Sequence, residues 1–255
     1  MIALLIRTFA LCLLPFALTL PARAQTPPPD EPKPANLRFL FLDETPGGYS
    51  IKAGASFRQI SSAPYAISPP VVVQPKSHYE IYQTAPLPDP VTGKKEQVKL
   101  AVIAPPPGIV SALVVVKVTP PPPDSKGPPR CDVTYFDTDV HAFPLGSVRV
   151  INLGRAPLGT QFNKDAAFQL QPGETRIVKL SPDDKNRVVA KIAVSEGNAW
   201  RLLSNKIAIL GPSQRMTGVF IYSASGLLHT YTAEEIAEFG KPNPGHFWIT
   251  YTDTP

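Results

Sequence analysis

The chain has 255 residues, 43% apolar and 18% charged, a formal net charge of +5 and 32 prolines. That balance suits folded domains. The charge falls to +3 once Arg7 and Arg23 are set aside, and it is too small and too evenly spread to point to nucleic acid.

Residues 3–20 are apolar with a lone Arg7 and lead into Pro21-Ala22-Arg23-Ala24. A short hydrophobic region ending in A-x-A reads as a secretory signal peptide, residues 1–24, and Pro15 and Pro21 argue against an uncleaved anchor. The expected destination is the periplasm or the extracellular side of the cell surface, with no transmembrane span after cleavage. Only Cys131 then remains, so no disulfide forms within the chain and stability has to come from apolar cores.

Two proline tracts punctuate the rest, PPPDEPKP at 27–34 and PPPPDSKGPP at 120–129. Proline fixes φ and lacks a donor, so both predict extended, solvated linkers at residues 25–35 and 120–130. Fully extended, the second would hold two domains ~20–30 Å apart at about 3.1 Å per residue.

Between the tracts, short β-branched and aromatic runs predict strands at 37–42, 55–60, 65–67 with 71–73, 78–82, 98–103 and 109–118. Residues 113–116, Leu-Val-Val-Val, do not alternate, which suggests a strand covered on both faces. After the second tract, strands are predicted at 131–136, 148–153, 160–163, 168–170, 175–180, 188–194, 200–203, 206–210 and 216–223. Six or more short strands per ~85 residues predict a tandem pair of immunoglobulin-like antiparallel β-sandwich domains, at 36–119 and 131–225, with a small barrel as the competing topology.

The two halves echo each other, which points to duplication. Phe57-Arg58-Gln59-Ile60 answers Val148-Arg149-Val150-Ile151, and Val73-Gln74-Pro75 answers Leu170-Gln171-Pro172. Phe41-Leu42-Asp43 answers Tyr135-Phe136-Asp137, Lys99 to Pro105 answers Lys206 to Pro212, and Ser111 to Val115 answers Thr217 to Ile221. In this alignment the second copy carries about ten extra residues before Lys206, including Trp200, and an added hairpin is the leading explanation for them. The tail, 226–255, reads as a capping box at Thr232 and Glu235, a short helix at 233–239, and a strand at 246–251 that pairs with a sheet edge or packs on the second domain.

Chemistry-bearing patterns are sparse. No G-x-S-x-G elbow occurs, and Gly93-Lys94-Lys95 lacks the rest of a phosphate loop. Cys131, His141 and Met216 are too scattered for a blue-copper set, and His78, His229 and His246 stand alone. Asp43-Glu44 and Asp137 with Asp139 supply too few oxygens for calcium and read as turn residues. No catalytic residue, metal or cofactor is therefore expected. A ligand-binding aromatic platform would have to use Trp200 or Trp248, the two tryptophans.

The signal peptide, proline spacer and tandem β units, with V-R-V-I-N at 148–152 and Q-P-G-E-T at 171–175, resemble uncharacterised exported proteins of environmental Gram-negative bacteria. That resemblance implies export and tandem β domains, and no activity. The leading expectation is a non-enzymatic structural or protein-interaction module of the envelope whose partner is another exported or envelope protein. The alternative is a glycan or small-ligand binder using the segment around Trp200 or the aromatic tail.

Overall fold

The computed structural model describes residues 34–42, 48–53, 56–61, 65–74, 78–85, 88–119, 130–223 and 245–254. The signal peptide, most of the first linker, the Asp43-Glu44 pair, the 120–129 tract and the 233–239 helix lie outside those residues. Among the described residues the regular structure is entirely β. The first eight strands are β1 (Ala35–Leu42), β2 (Gly48–Ala53), β3 (Ser56–Ser61), β4 (Val71–Val73), β5 (Tyr79–Thr84), β6 (Gln97–Ile103), β7 (Ser111–Thr119) and β8 (Arg130–Asp137). The second eight are β9 (Ser147–Leu153), β10 (Leu158–Phe162), β11 (Phe168–Leu170), β12 (Thr175–Lys179), β13 (Arg187–Glu196), β14 (Ala199–Ile209), β15 (Arg215–Ser223) and β16 (Gly245–Asp253).

These form four four-stranded sheets in the orders β4-β1-β7-β8, β3-β2-β5-β6, β12-β9-β15-β16 and β11-β10-β13-β14. Adding eight to every strand number converts the first two orders into the last two. Each half also contains one parallel pair, β1 with β7 and β9 with β15, so the expected all-antiparallel pairing fails at the same place in both. The two halves therefore repeat one strand order, but not with the alignment read from the sequence. Phe57 lies on β3, an outer strand, whereas Val148 lies on β9, a central one. The counterpart of Val148-Arg149-Val150-Ile151 is Leu37-Arg38-Phe39-Leu40 on β1, because Leu37 faces Ala112 of β7 as Val148 faces Met216 of β15. The pairings of β6 with β14 and β7 with β15 stand.

Strand alternation explains the layering. Leu37, Phe39 and Phe41 on β1, with Ala112, Val114 and Val116 on β7, point into a first core shared with Tyr49, Ile51 and Ile81 of the facing sheet. Val148, Val150, Met216 and Phe220 point into a second core with Leu158, Phe162, Val188 and Ile192. The intervening residues form a third core: Leu40, Leu113 and Val115 from the first half meet Ile151, Val219 and Ile221 from the second. The four sheets thus stack in series. The β1–β7 and β9–β15 ribbons are buried on both faces, which is why their sequences do not alternate.

The proline tract does not separate the halves. Thr119 is paired with Arg130 across the β7–β8 ladder, so the chain leaves and re-enters the same sheet at neighbouring positions. β8, grouped with the second half on sequence, completes the sheet of the first. A 20–30 Å spacer would need those strand ends apart, and the ladder hydrogen bonds hold them together. The tail strand behaves as expected: β16 pairs with β15 along its whole length, Arg215 with Asp253 through Ser223 with Gly245.

Polar groups tie the two halves at the edge of the third core. Arg215, 3% exposed, donates from Nε to Asp253 Oδ2 at 3.0 Å and from Nη1 to the Phe143 carbonyl at 2.8 Å. Asp253 also faces Arg38 of β1 at 3.8 Å. Arg149 donates to the Asp137 carbonyl and lies over the Phe143 ring at 4.3 Å, while Arg215 lies over the same ring at 4.8 Å. Burial, and then the positive charge of Arg215, lower the Arg149 guanidinium to about 10, against Asp137 and Asp253. The Tyr251 hydroxyl donates to the Tyr65 carbonyl in the first half, and burial raises its pKa.

Candidate functional site

The outer face of the last sheet carries the candidate site. On β10, Leu158, Thr160 and Phe162 point inward, leaving Gly159 and Gln161 outward. On β13, Val188, Ala190, Ile192 and Val194 point inward, leaving Lys191 and Ala193 outward. Gly159 faces Gln169 on one side and Ala193 on the other, Gln161 faces Lys191, and Ser195 faces Trp200.

A β-bulge decides where Trp200 goes. The β13–β14 register pairs Ser204 with Ile192 but Leu202 with Ala193, so Leu203 is the extra residue and packs toward the second core. Without that slip, Trp200 would lie opposite Glu196 and share the inward parity of Val194. With it, Trp200 and Leu202 emerge on the outer face, the re-aiming that bulges produce. The indole lies across the sheet over Gly159, where an added Cβ would sit 3.1 Å from its Cζ3. Glycine here serves close approach.

Beside the indole lies a groove of about 280 Å³ whose lining includes Gly159, Gln161, Gln169, Lys191 and Ala193; Phe168, which also borders it, pairs with inward-facing Thr160 and packs against the second core. Gln161 is held by donating from Nε2 to the Asp165 carbonyl at 3.1 Å, and Phe168 is backed by the Arg176 guanidinium 4.6 Å from its ring centre. Trp200 is 46% exposed and Leu202 58%, and the apolar stripe runs on along β14 through Ile207 and Ile209.

The equivalent face of the first half is built differently. Glu80 of β5 sits between Lys52 at 3.5 Å and Lys99, and accepts a hydrogen bond from the Tyr82 hydroxyl at 3.0 Å. The Lys99 hydrogen bond leads the causes that lower the Glu80 carboxyl from 4.5 to about 2. A carboxyl depressed on folding adds stability that is complete above its unfolded pKa and lost as pH falls through its folded one. The wild-type chain should therefore lose a small, salt-sensitive increment between about pH 4.5 and 2 that Glu80→Gln lacks. Urea midpoints of the two proteins at stepped pH check this, and parallel curves would refute it.

Trp200 and Trp248 do not come together. Trp248 is on β16 in the neighbouring sheet, half-buried against the second core, and its ring fills the space above Gly218, where an added Cβ would lie 2.1 Å from Cη2. Cys131 is half-buried on β8 against the first core. Asp137 and Asp139 serve as turn acceptors, Oδ1 of each taking a backbone N–H at 2.8 and 2.9 Å. His246 stacks on Phe220 with ring centres 5.0 Å apart, and burial lowers its pKa. Among the described residues, no three His, Cys, Asp or Glu side chains are gathered as a metal site would require, and no helix is long and apolar enough to cross a membrane.

Sequence reasoning named Trp200 but missed Gln161, Gln169, Lys191 and Phe168. The available signal was Gly159 inside a strand, which marks a close approach. The ten-residue surplus around Trp200 disappears once the topology sets the alignment. β5 through β6 spans 79–103 and β13 through β14 spans 187–209, so a long hairpin replaces a shorter one with a longer loop. No family model matches this sequence, and no curated protein matches it.

Proposed function

We propose that this is an exported, non-catalytic binding protein of the cell envelope, and that it holds a sugar ring in the groove beside Trp200. The observation that carries this is the half-exposed indole, turned outward by the bulge and bordered by amide side chains. An aromatic face packs against the apolar C–H patch of a sugar, and amides both donate to and accept from hydroxyls. Such apolar pockets with a few placed polar groups are the usual form of small-ligand sites. Each half is read as an immunoglobulin-like sandwich on the strength of eight strands in two sheets around one core. Rigid stacking of the halves suits a module that presents one outer face.

Trp200→Ala should weaken binding of oligosaccharides selected on a glycan array by about thirtyfold or more, as loss of an aromatic anchor does elsewhere. The thermal midpoint should change little by comparison, because the residue is half-exposed. Unchanged affinity in calorimetric titration would refute the reading. A second reading, docking of another envelope protein, rests on Ile207 and Ile209, which are 60% and 61% exposed beyond the groove. Ile207→Lys with Ile209→Lys should abolish capture of a protein partner and spare sugar binding.

A further inference from the structure

Resting on the saccharide reading, we infer that the ring taken by this groove is negatively charged and that Lys191 reads the charge. Lys191 projects from the centre of the outer face, opposite Gln161 in the ladder, and lines the groove. Two of its three neighbouring cations on the hairpin are committed, while Lys206, opposite Ala190, makes no ion pair among the described residues. Arg187 pairs with Asp183 at 2.7 Å at one end, and Arg201 with Glu196 at 2.7 Å at the other. Lys191 makes no ion pair among the described residues, and Asp165, at the nearby turn, offers Gln161 its backbone carbonyl. Arg176, whose guanidinium lies over the Phe168 ring, belongs to β12 of the neighbouring sheet and is not part of the groove's lining. In the first half the central position of the outer face is instead a carboxylate, Glu80, already flanked by Lys52 and Lys99. On one outer face the central charge is already paired, and on the other an ammonium with no ion pair among the described residues stands beside an indole.

The occupant is a saccharide rather than an added strand because the groove lies over β10 and β13. Both are interior strands whose backbone groups are used in ladders on either side, so recognition there falls to side chains. An ammonium is a point charge without the planar fork of a guanidinium, so it accepts a carboxylate or a sulfate alike. The shared chemistry is an anionic ring: a uronate or a sulfated sugar.

The test uses the full mature chain and calorimetric titration with uronate oligosaccharides, their carboxyl-reduced neutral counterparts, sulfated oligosaccharides and an apolar extended peptide. The acidic forms should bind about tenfold tighter than the reduced ones, with the preference shrinking as salt rises. Lys191→Gln should remove that preference while retaining neutral binding, and Trp200→Ala should remove both. The uronate and sulfate arms identify which acid is preferred, and tight binding of either alone supports the inference. Equal affinity for acidic and reduced sugars overturns it and leaves the saccharide reading intact. Binding of the peptide alone, or of nothing, overturns both. Lys191 is exposed on its strand, so a folding defect in Lys191→Gln is not expected, and Lys191→Arg should restore the preference.

Discussion

Replacing Ile151 by Ala should destabilise both halves of the molecule together, by about 2–5 kcal/mol, in a single unfolding transition. Ile151 is fully buried on β9, and its side chain points away from its own half's core into the third one, among Leu40, Leu113 and Val115. Removing three carbons there leaves a cavity between two sheets that already bury their other faces, so relaxation is limited. If the halves were independent domains on a linker, the change would lower one transition and leave the other in place. Differential scanning calorimetry separates the outcomes: one shifted peak is expected, two peaks with one shifted would contradict the stacked arrangement.

Arg215→Ala should cost about 3–5 kcal/mol, the range for breaking a buried ion pair by removing one partner. The substitution strands the Phe143 carbonyl, which accepts at 2.8 Å, and leaves the Asp253 carboxylate with Arg38 alone at 3.8 Å. Part of the loss is offset, because Arg215 and Arg149 repel across the Phe143 ring and removing one relieves the other. The stranded hydrogen bonds outweigh that relief, since Arg149 keeps its contact with the Asp137 carbonyl. A double-mutant cycle with Asp253→Asn should show the double change costing less than the sum of the singles. Additive losses, or a loss below about 1 kcal/mol for Arg215→Ala, would mean that the network does not hold the halves in place.

Much of this was legible in the residues. The Leu113-Val114-Val115-Val116 run announced a ribbon buried on both faces, and the aromatic tail announced a strand that returns to a sheet edge as β16. That the two halves resemble each other was visible too, but the register of the repeated strand order was not. An Arg preceded by an apolar residue and followed two residues later by another occurs at Arg38, Arg58 and Arg149, and such a short spelling does not tell a central strand from an outer one. The proline tract misled for a related reason: its composition predicts an extended chain, but strands at its two ends can still pair, and β7 and β8 do. The groove was least legible. It depends on one slipped pair at Ala193 that turns Trp200 outward, and on Gly159 two strands away giving the ring a floor. Those are consequences of pairing, which local propensity does not encode.

The chain has two indoles, and each has one ring N–H. In a nitrogen–proton correlation spectrum of the labelled full-length protein, assigned with Trp200→Phe, titration with the selected acidic oligosaccharide should move the Trp200 signal and leave that of Trp248 in place. Two unmoved signals, or movement of Trp248 alone, would contradict the placement of the binding site on the outer face of the last sheet.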